Sequence, residues 1–299
     1  MKKLIFSHSF AQEGSRAFRT ENELALTRSR GSSTYSMDLV IKIAMLYNYE
    51  PMEVVKKTAS AVRRLMLQWA AVPSSVRWGR TRELLRVENI SLFTGGKPVL
   101  RGISMSALRG EIIGLVGEGR RALILAIAGL FKPTSGSVTL DGIDTYSRRS
   151  EIKDSIGLLL NRTELYGQFS PRWNLLFLGK LDGNVDKNTI NDLLEKYNLT
   201  QHADKKASNL NQEIKRKLMI VQALIKRPSL LLLEEPLAGL KDQEAKGVEA
   251  LLKNLSRWEG LTIICTGRNA QELTFCNKIL SLKKGTVEAV IETERQEIG

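Results

Sequence analysis

An α/β fold is predicted from about Leu84 onward by three stretches of the chain. The first is Gly110–Gly136. There an apolar β run (Ile112, Ile113, Leu115, Val116) passes a Gly-x-Gly turn at Gly117 and Gly119 and enters a helix. In that helix Leu123, Ile124, Ile127 and Leu130 recur at the 3.6-residue spacing of one buried face. Strand, glycine turn and helix form the architecture of a phosphate-binding loop, where turn amides and a helix N-terminus face an anion. The second stretch is Leu230–Leu233, an apolar strand that runs into Glu234 and Glu235. The third is a hairpin: Leu85–Leu92 alternates toward a strand, Gly95-Gly96 makes the turn, and Val99–Ala107 returns.

The bulk numbers fit that class. The chain has 299 residues, 42% of them hydrophobic, enough for a full core. An α/β domain of about 200 residues plus a smaller piece is expected at this length. Cys265 and Cys276 are too few for a disulfide framework, and Cys265 lies in the apolar run Leu261–Cys265, so a reduced, buried thiol is expected. The apolar residues Leu4-Ile5-Phe6 are cut off by His8, Gln12 and Glu13 too early for a signal peptide, and no run is long enough to span a bilayer. A cytoplasmic chain is expected. Its formal net charge is +13, from 45 Lys and Arg against 32 Asp and Glu. A basic balance suits nucleic acid, an anionic membrane face, or simply a solvated surface.

Taken in order, residues 1–36 are rich in Ser, Arg, Thr and Gly and read as a flexible basic arm. Residues 37–80 read as a helical segment. Ser36 is placed to cap a first helix from Met37, and Pro51 to open a second that ends before Pro73. In that second helix Val54, Ala61, Val62, Leu65, Met66 and Trp69 share one side, and Lys56, Lys57, Arg63 and Arg64 share the other. Such a helix packs on its own protein, grips a partner, or lies on lipid. Pro73-Ser74-Ser75 marks a linker. Farther on, Ser137–Leu140 with the turn Asp141-Gly142, and Ile156–Asn161, give further strands. Helices are expected over 187–197 and 211–225.

The motif G-E-I-I-G-L-V-G at 110–117, the run I-A-G-L-F-K-P-T-S-G at 127–136 and the segment Glu234-Glu235-Pro236-Leu237-Ala238-Gly239-Leu240 resemble the ATP-binding cassette of ABC transporters. The resemblance covers nearly everything from Leu84 to the C-terminus, residues 84–299. It implies the P-loop ATPase fold of that family: a mixed sheet core, an antiparallel β subdomain and a helical subdomain, here with an extra N-terminal helical region. Glu164–Ser170 and Arg172–Leu175 look like the segment opening the helical subdomain in the branch that drives drug, polysaccharide and peptide exporters.

The same resemblance makes the departures visible. A working loop reads G-x-x-x-x-G-K-[ST], with Lys for the terminal phosphates and a hydroxyl for Mg²⁺. Here Gly117-Glu118-Gly119 leaves the turn about three residues short of that pattern. Arg120 stands for the Lys and Arg121 for the Ser or Thr. Asn161 replaces the family's Gln, and Leu210-Asn211-Gln212-Glu213-Ile214 replaces L-S-G-G-Q, with Glu213 bringing a negative charge where backbone approaches a phosphate. Glu234 stands for the Asp that supports Mg²⁺, Glu235 aligns with the base that orients water, and Lys241 replaces an Asp. Thr266-Gly267-Arg268 occupies the place of the family's His, and the two histidines, His8 and His202, lie elsewhere. Phe93 takes the place of the aromatic that stacks on adenine, although a lone Phe after a strand is more often core.

The resemblance therefore implies a degenerate ATP site made of Phe93, Gly117, Gly119, Arg120, Arg121, Asn161 and Glu234, with Glu235 as a vestigial catalytic carboxylate. It implies no bound metal and at most weak binding of ATP and Mg²⁺. Helix-start arginines without a phosphate are unfavourable, which leaves an anion or an acidic partner open at Arg120 and Arg121. The expected role is a pseudo-ATPase subunit at the cytoplasmic face of the membrane, docked to a permease and paired with another cassette. A weak ATPase is the second reading. A soluble scaffold or nucleic-acid-associated cassette is ranked last.

Overall fold

The computed structural model describes residues 83–161, 164–183 and 185–293. The expected arm at 1–36, the helical segment at 37–80 and the linker at Pro73–Ser75 lie outside the described residues. Within them the order of elements is β1 (Glu83–Thr94), β2 (Lys97–Leu108), β3 (Ile112–Gly117), α1 (Arg120–Ile127), β4 (Ser135–Leu140), β5 (Ile143–Asp144), α2 (Arg149–Ile152), β6 (Ile156–Leu159), α3 (Pro171–Asp182), α4 (Lys187–Lys196), α5 (Gln212–Ala223), β7 (Leu230–Leu233), α6 (Asp242–Glu259), β8 (Thr262–Thr266), β9 (Lys278–Lys283) and β10 (Thr286–Glu292).

Two sheets carry the fold. One is antiparallel, in the order β2-β1-β4-β5; the other has six strands in the order β10-β9-β3-β8-β7-β6. In the larger sheet β9, β3, β8, β7 and β6 run parallel, and β10 returns antiparallel on β9. Parallel strands covered on both faces read as unbroken apolar runs, and all four leucines of β7 and every residue of β8 are buried. One face of this sheet packs on α1 and the antiparallel sheet through residues such as Leu123, Ile124, Ile127, Leu115 and Leu100. The other face packs on α6 through Val248, Leu252 and Leu255.

The helices between Pro171 and Ala223 have a small core of their own, including Leu175, Ile190, Leu194, Leu218 and Val221. Their starts are fixed by side-chain caps: the Ser170 hydroxyl accepts from the Trp173 N–H, the Asp186 carboxylate from Thr189, and the Asn211 side chain from Ile214. Leu165 and Tyr197 pack against this core and against the sheet core as well.

Two expectations need correction. Leu130 lies beyond α1, which ends at Ile127 because Gly129 takes φ 66° and its backbone runs against the Thr145 carbonyl, where a Cβ would come within 2.0 Å. Phe93 is inside β1 rather than after it, and with 51% of its surface exposed it is not a core residue. Both cysteines are buried free thiols, as expected for Cys265. Cys276 lies beside it, with the sulfurs 3.7 Å apart, and the hydrogen bond with the Cys265 thiol, followed by burial, pushes the Cys276 pKa far up.

Candidate functional site

The site begins where β3, β8 and β7 end side by side. Because these strands are parallel and paired Leu115 to Thr266 and Leu233 to Cys265, their carboxyl ends reach one edge of the sheet together. Ligands of open parallel sheets gather at such edges. β3 delivers the glycine turn there, β7 delivers Glu234 and Glu235, and β6 delivers Asn161 two residues past its end.

The turn is tight. Gly117 has φ 88°, and a Cβ at that position would sit 1.9 Å from the Leu282 carbonyl oxygen, so the backbone of β9 leaves room for glycine alone. Gly119, at φ 92°, is the N-cap of α1 and offers no side-chain oxygen to the first turn. No acidic residue stands in that turn either. Two arginines at a positive helix end carry an electrostatic cost.

That cost is offset by the end of β7. The Arg120 guanidinium donates to Glu235 Oε1 at 2.8 Å and to the Gly117 carbonyl at 3.0 Å, so it lies across the turn. Arg121 forms an ion pair with Glu234 Oε1. Asn161 ties the two carboxylates together: its backbone N–H donates to Glu234 Oε2 and its side-chain amide to Glu235 Oε2, each at 3.2 Å. The Glu234 side chain is only 8% exposed and that of Glu235 18%, so these pairs are partly desolvated and less screened than surface pairs.

Glu235 is held at every polar atom. Its N–H donates to Thr266 Oγ1 at 2.9 Å, and its carbonyl accepts from Arg216 at 3.1 Å. Its backbone sits at φ 47°, a left-handed conformation uncommon for a residue with a long side chain. Arg216, carried by α5, also donates to the Ala238 carbonyl at 3.1 Å, and desolvation lowers its pKa. The carboxylate expected to be vestigial is paired with Arg120.

Of the residues singled out from the sequence, Gly117, Gly119, Arg120, Arg121, Asn161, Glu234 and Glu235 are brought to this edge. Phe93 stands at the end of β1, its N–H donating to the Thr134 hydroxyl. The Glu213 carboxylate pairs with Lys217 Nζ at 2.6 Å and occupies space over Gly247 of α6, where a Cβ would come within 2.0 Å of its Oε1. Its charge is balanced within its own helix. Arg268 is occupied by Glu272, and Thr266, read only as the neighbour of a missing histidine, supplies the hydroxyl under Glu235. Arg216 and Thr266 carried no signal beyond residue type, since their contacts are with backbone groups. Among the described residues no group of His, Cys, Asp and Glu is arranged to hold a metal ion.

The family model described as ABC transporter matches residues 100–238. The linearmycin resistance ATP-binding protein LnrL of Bacillus subtilis (strain 168) is 31% identical over 214 residues, covering 69% of this chain and 68% of that protein. The chain belongs to the ABC transporter family. NatA, an ABC transporter ATP-binding protein of the same organism, is 28% identical over 212 residues, 66% of this chain and 86% of its own. Among solved structures, cbiO1 from Clostridium perfringens, part of the ABC transporter complex cbiONQ, superposes with a TM-score of 0.64 at 25% identity, over 71% of this chain and 89% of that one. The two sheets and the helical region are those of the ABC cassette fold. Among the described residues no helix is long and apolar enough to cross a membrane.

Proposed function

We propose that this chain is a pseudo-ATPase subunit of an ABC transporter, a structural or regulatory cassette that works beside a membrane permease and a second cassette at the cytoplasmic face. The observation that carries the reading is the double pairing of Arg120 with Glu235 and Arg121 with Glu234. Phosphoryl transfer from a nucleotide needs a cradle for the phosphates, a cation held by a hydroxyl and a carboxylate, and a base free to orient water. Here the cradle is a three-residue turn with the Arg120 side chain across it, and both carboxylates already hold cations of the protein. ATP with Mg²⁺ does not fit these residues.

Each contact to developing phosphate charge contributes several kcal/mol to a phosphoryl-transfer transition state, and losing several together removes turnover. An export role is supported by relatives named for Nod factor export and bacitracin transport. The test is a steady-state phosphate-release assay on the purified protein with ATP and Mg²⁺. No release above buffer is expected. A rate near that of transport cassettes, abolished by Glu235→Gln, contradicts the proposal.

A further inference from the structure

The Arg120–Glu235 pair does more than neutralise charge, because Glu235 links two parts of the fold. Its side chain is gripped by Arg120 and Asn161, and its backbone carbonyl by Arg216 from α5. Glu235 holds φ 47°, which a residue with a Cβ leaves unless its surroundings fix it. Meanwhile the apolar anchorage of the first half of α5 comes from Ile214 alone, half-buried against the helical core. Its buried residues begin only at Leu218 and run through Met219, Ile220 and Val221, whereas residues 212–217 are exposed or half-buried.

We propose that Arg120 and Asn161 act as positioning residues. By anchoring the Glu235 carboxylate they keep its carbonyl turned toward Arg216, so that the first turns of α5 are clamped to the 235–238 turn without any ligand. The strut runs from the start of α1, through the end of β7, to the start of α5. It joins elements 115 and 19 residues apart in the chain by two arginines and one carboxylate. Removing the guanidinium of Arg120 leaves the carboxylate held by Asn161 alone, lets Glu235 shift from the left-handed region, and loosens the hold of Arg216 on its carbonyl. The strut uses the same side chains as the inert-site reading but does not depend on it: turnover by the unaltered protein sinks that reading and leaves the strut standing.

Amide hydrogen exchange of the full chain tests it. In Arg120→Ala, the amides of Lys215 to Leu218 should exchange about tenfold faster or more, as for local opening of a poorly buried segment. Those of Ile220 to Leu224 and of β7 and β8 should keep their rates. Glu235→Ala should do the same, and Glu235→Gln, which keeps an acceptor for Arg120, should retain most of the protection. If Arg120→Ala does not fold, Asn161→Ala serves, because its side chain lies outside the core; a smaller acceleration at the same four amides is expected. Unchanged exchange at Lys215 to Leu218 in the folded variants overturns the proposal. So does acceleration confined to residues 117–123.

Discussion

Arg120 and Arg121 carry the argument at the scale of single residues. Each was legible in the sequence as a departure from a phosphate loop, but its partner was not: Glu235 and Glu234 lie 115 and 113 residues away, and only the parallel register of β3, β8 and β7 brings the pairs together. The surroundings of Glu213 were not legible for a related reason, since its space is made by Gly247 on another helix. Replacing both arginines by alanine should leave two adjacent, poorly solvated carboxylates. We expect a loss of about 1–3 kcal/mol in urea unfolding, nearer the lower figure because Arg121 is half exposed. A change within experimental error would show that the pairs contribute nothing to the folded state. Gly117→Ala should cost more, about 3 kcal/mol or above, because its Cβ meets the Leu282 carbonyl at 1.9 Å on a backbone already at φ 88°. A melting temperature equal to that of the unaltered protein contradicts the tight approach.

At the scale of elements, most of the architecture was readable because periodicity and capping chemistry act locally. The four leucines of β7, the alternation of β1 and the turn at Gly95-Gly96 each announce their element without help from the rest of the chain. Boundaries decided by tertiary approach were not readable. Gly129 stops α1 against Thr145, and Phe93 stays half exposed within β1. The turn between β3 and α1 yields a prediction of its own kind. Arg120→Lys with Arg121→Thr restores the side chains of a phosphate loop but not its length, and the backbone of Gly117–Gly119 remains too short to wrap two phosphates. We expect no recovery of ATP binding by equilibrium dialysis in this double variant. Micromolar binding would show that side chains, not backbone length, decide the matter.

For the whole molecule, the cassette fold is established by the family match and by two sheets meeting a helical region with its own core. The segment before Leu84 is proposed as the element that associates with a membrane partner, on the strength of its basic amphipathic pattern and the Pro73–Ser75 linker. A chain starting at Leu84 should melt as one cooperative unit yet fail to co-purify with the permease or partner cassette that the full chain retains. Full retention would remove the segment from the docking role. At the sheet edge, Arg120 and Arg121 occupy Glu235 and Glu234 in place of nucleotide and metal. Titration calorimetry of the full chain with ATP, in the presence and absence of Mg²⁺, probes this occupancy. No saturable heat is expected at millimolar nucleotide in either condition. Micromolar binding that requires Mg²⁺ and is lost in Glu234→Ala would contradict it, because the carboxylates would then be holding a metal and not the two arginines.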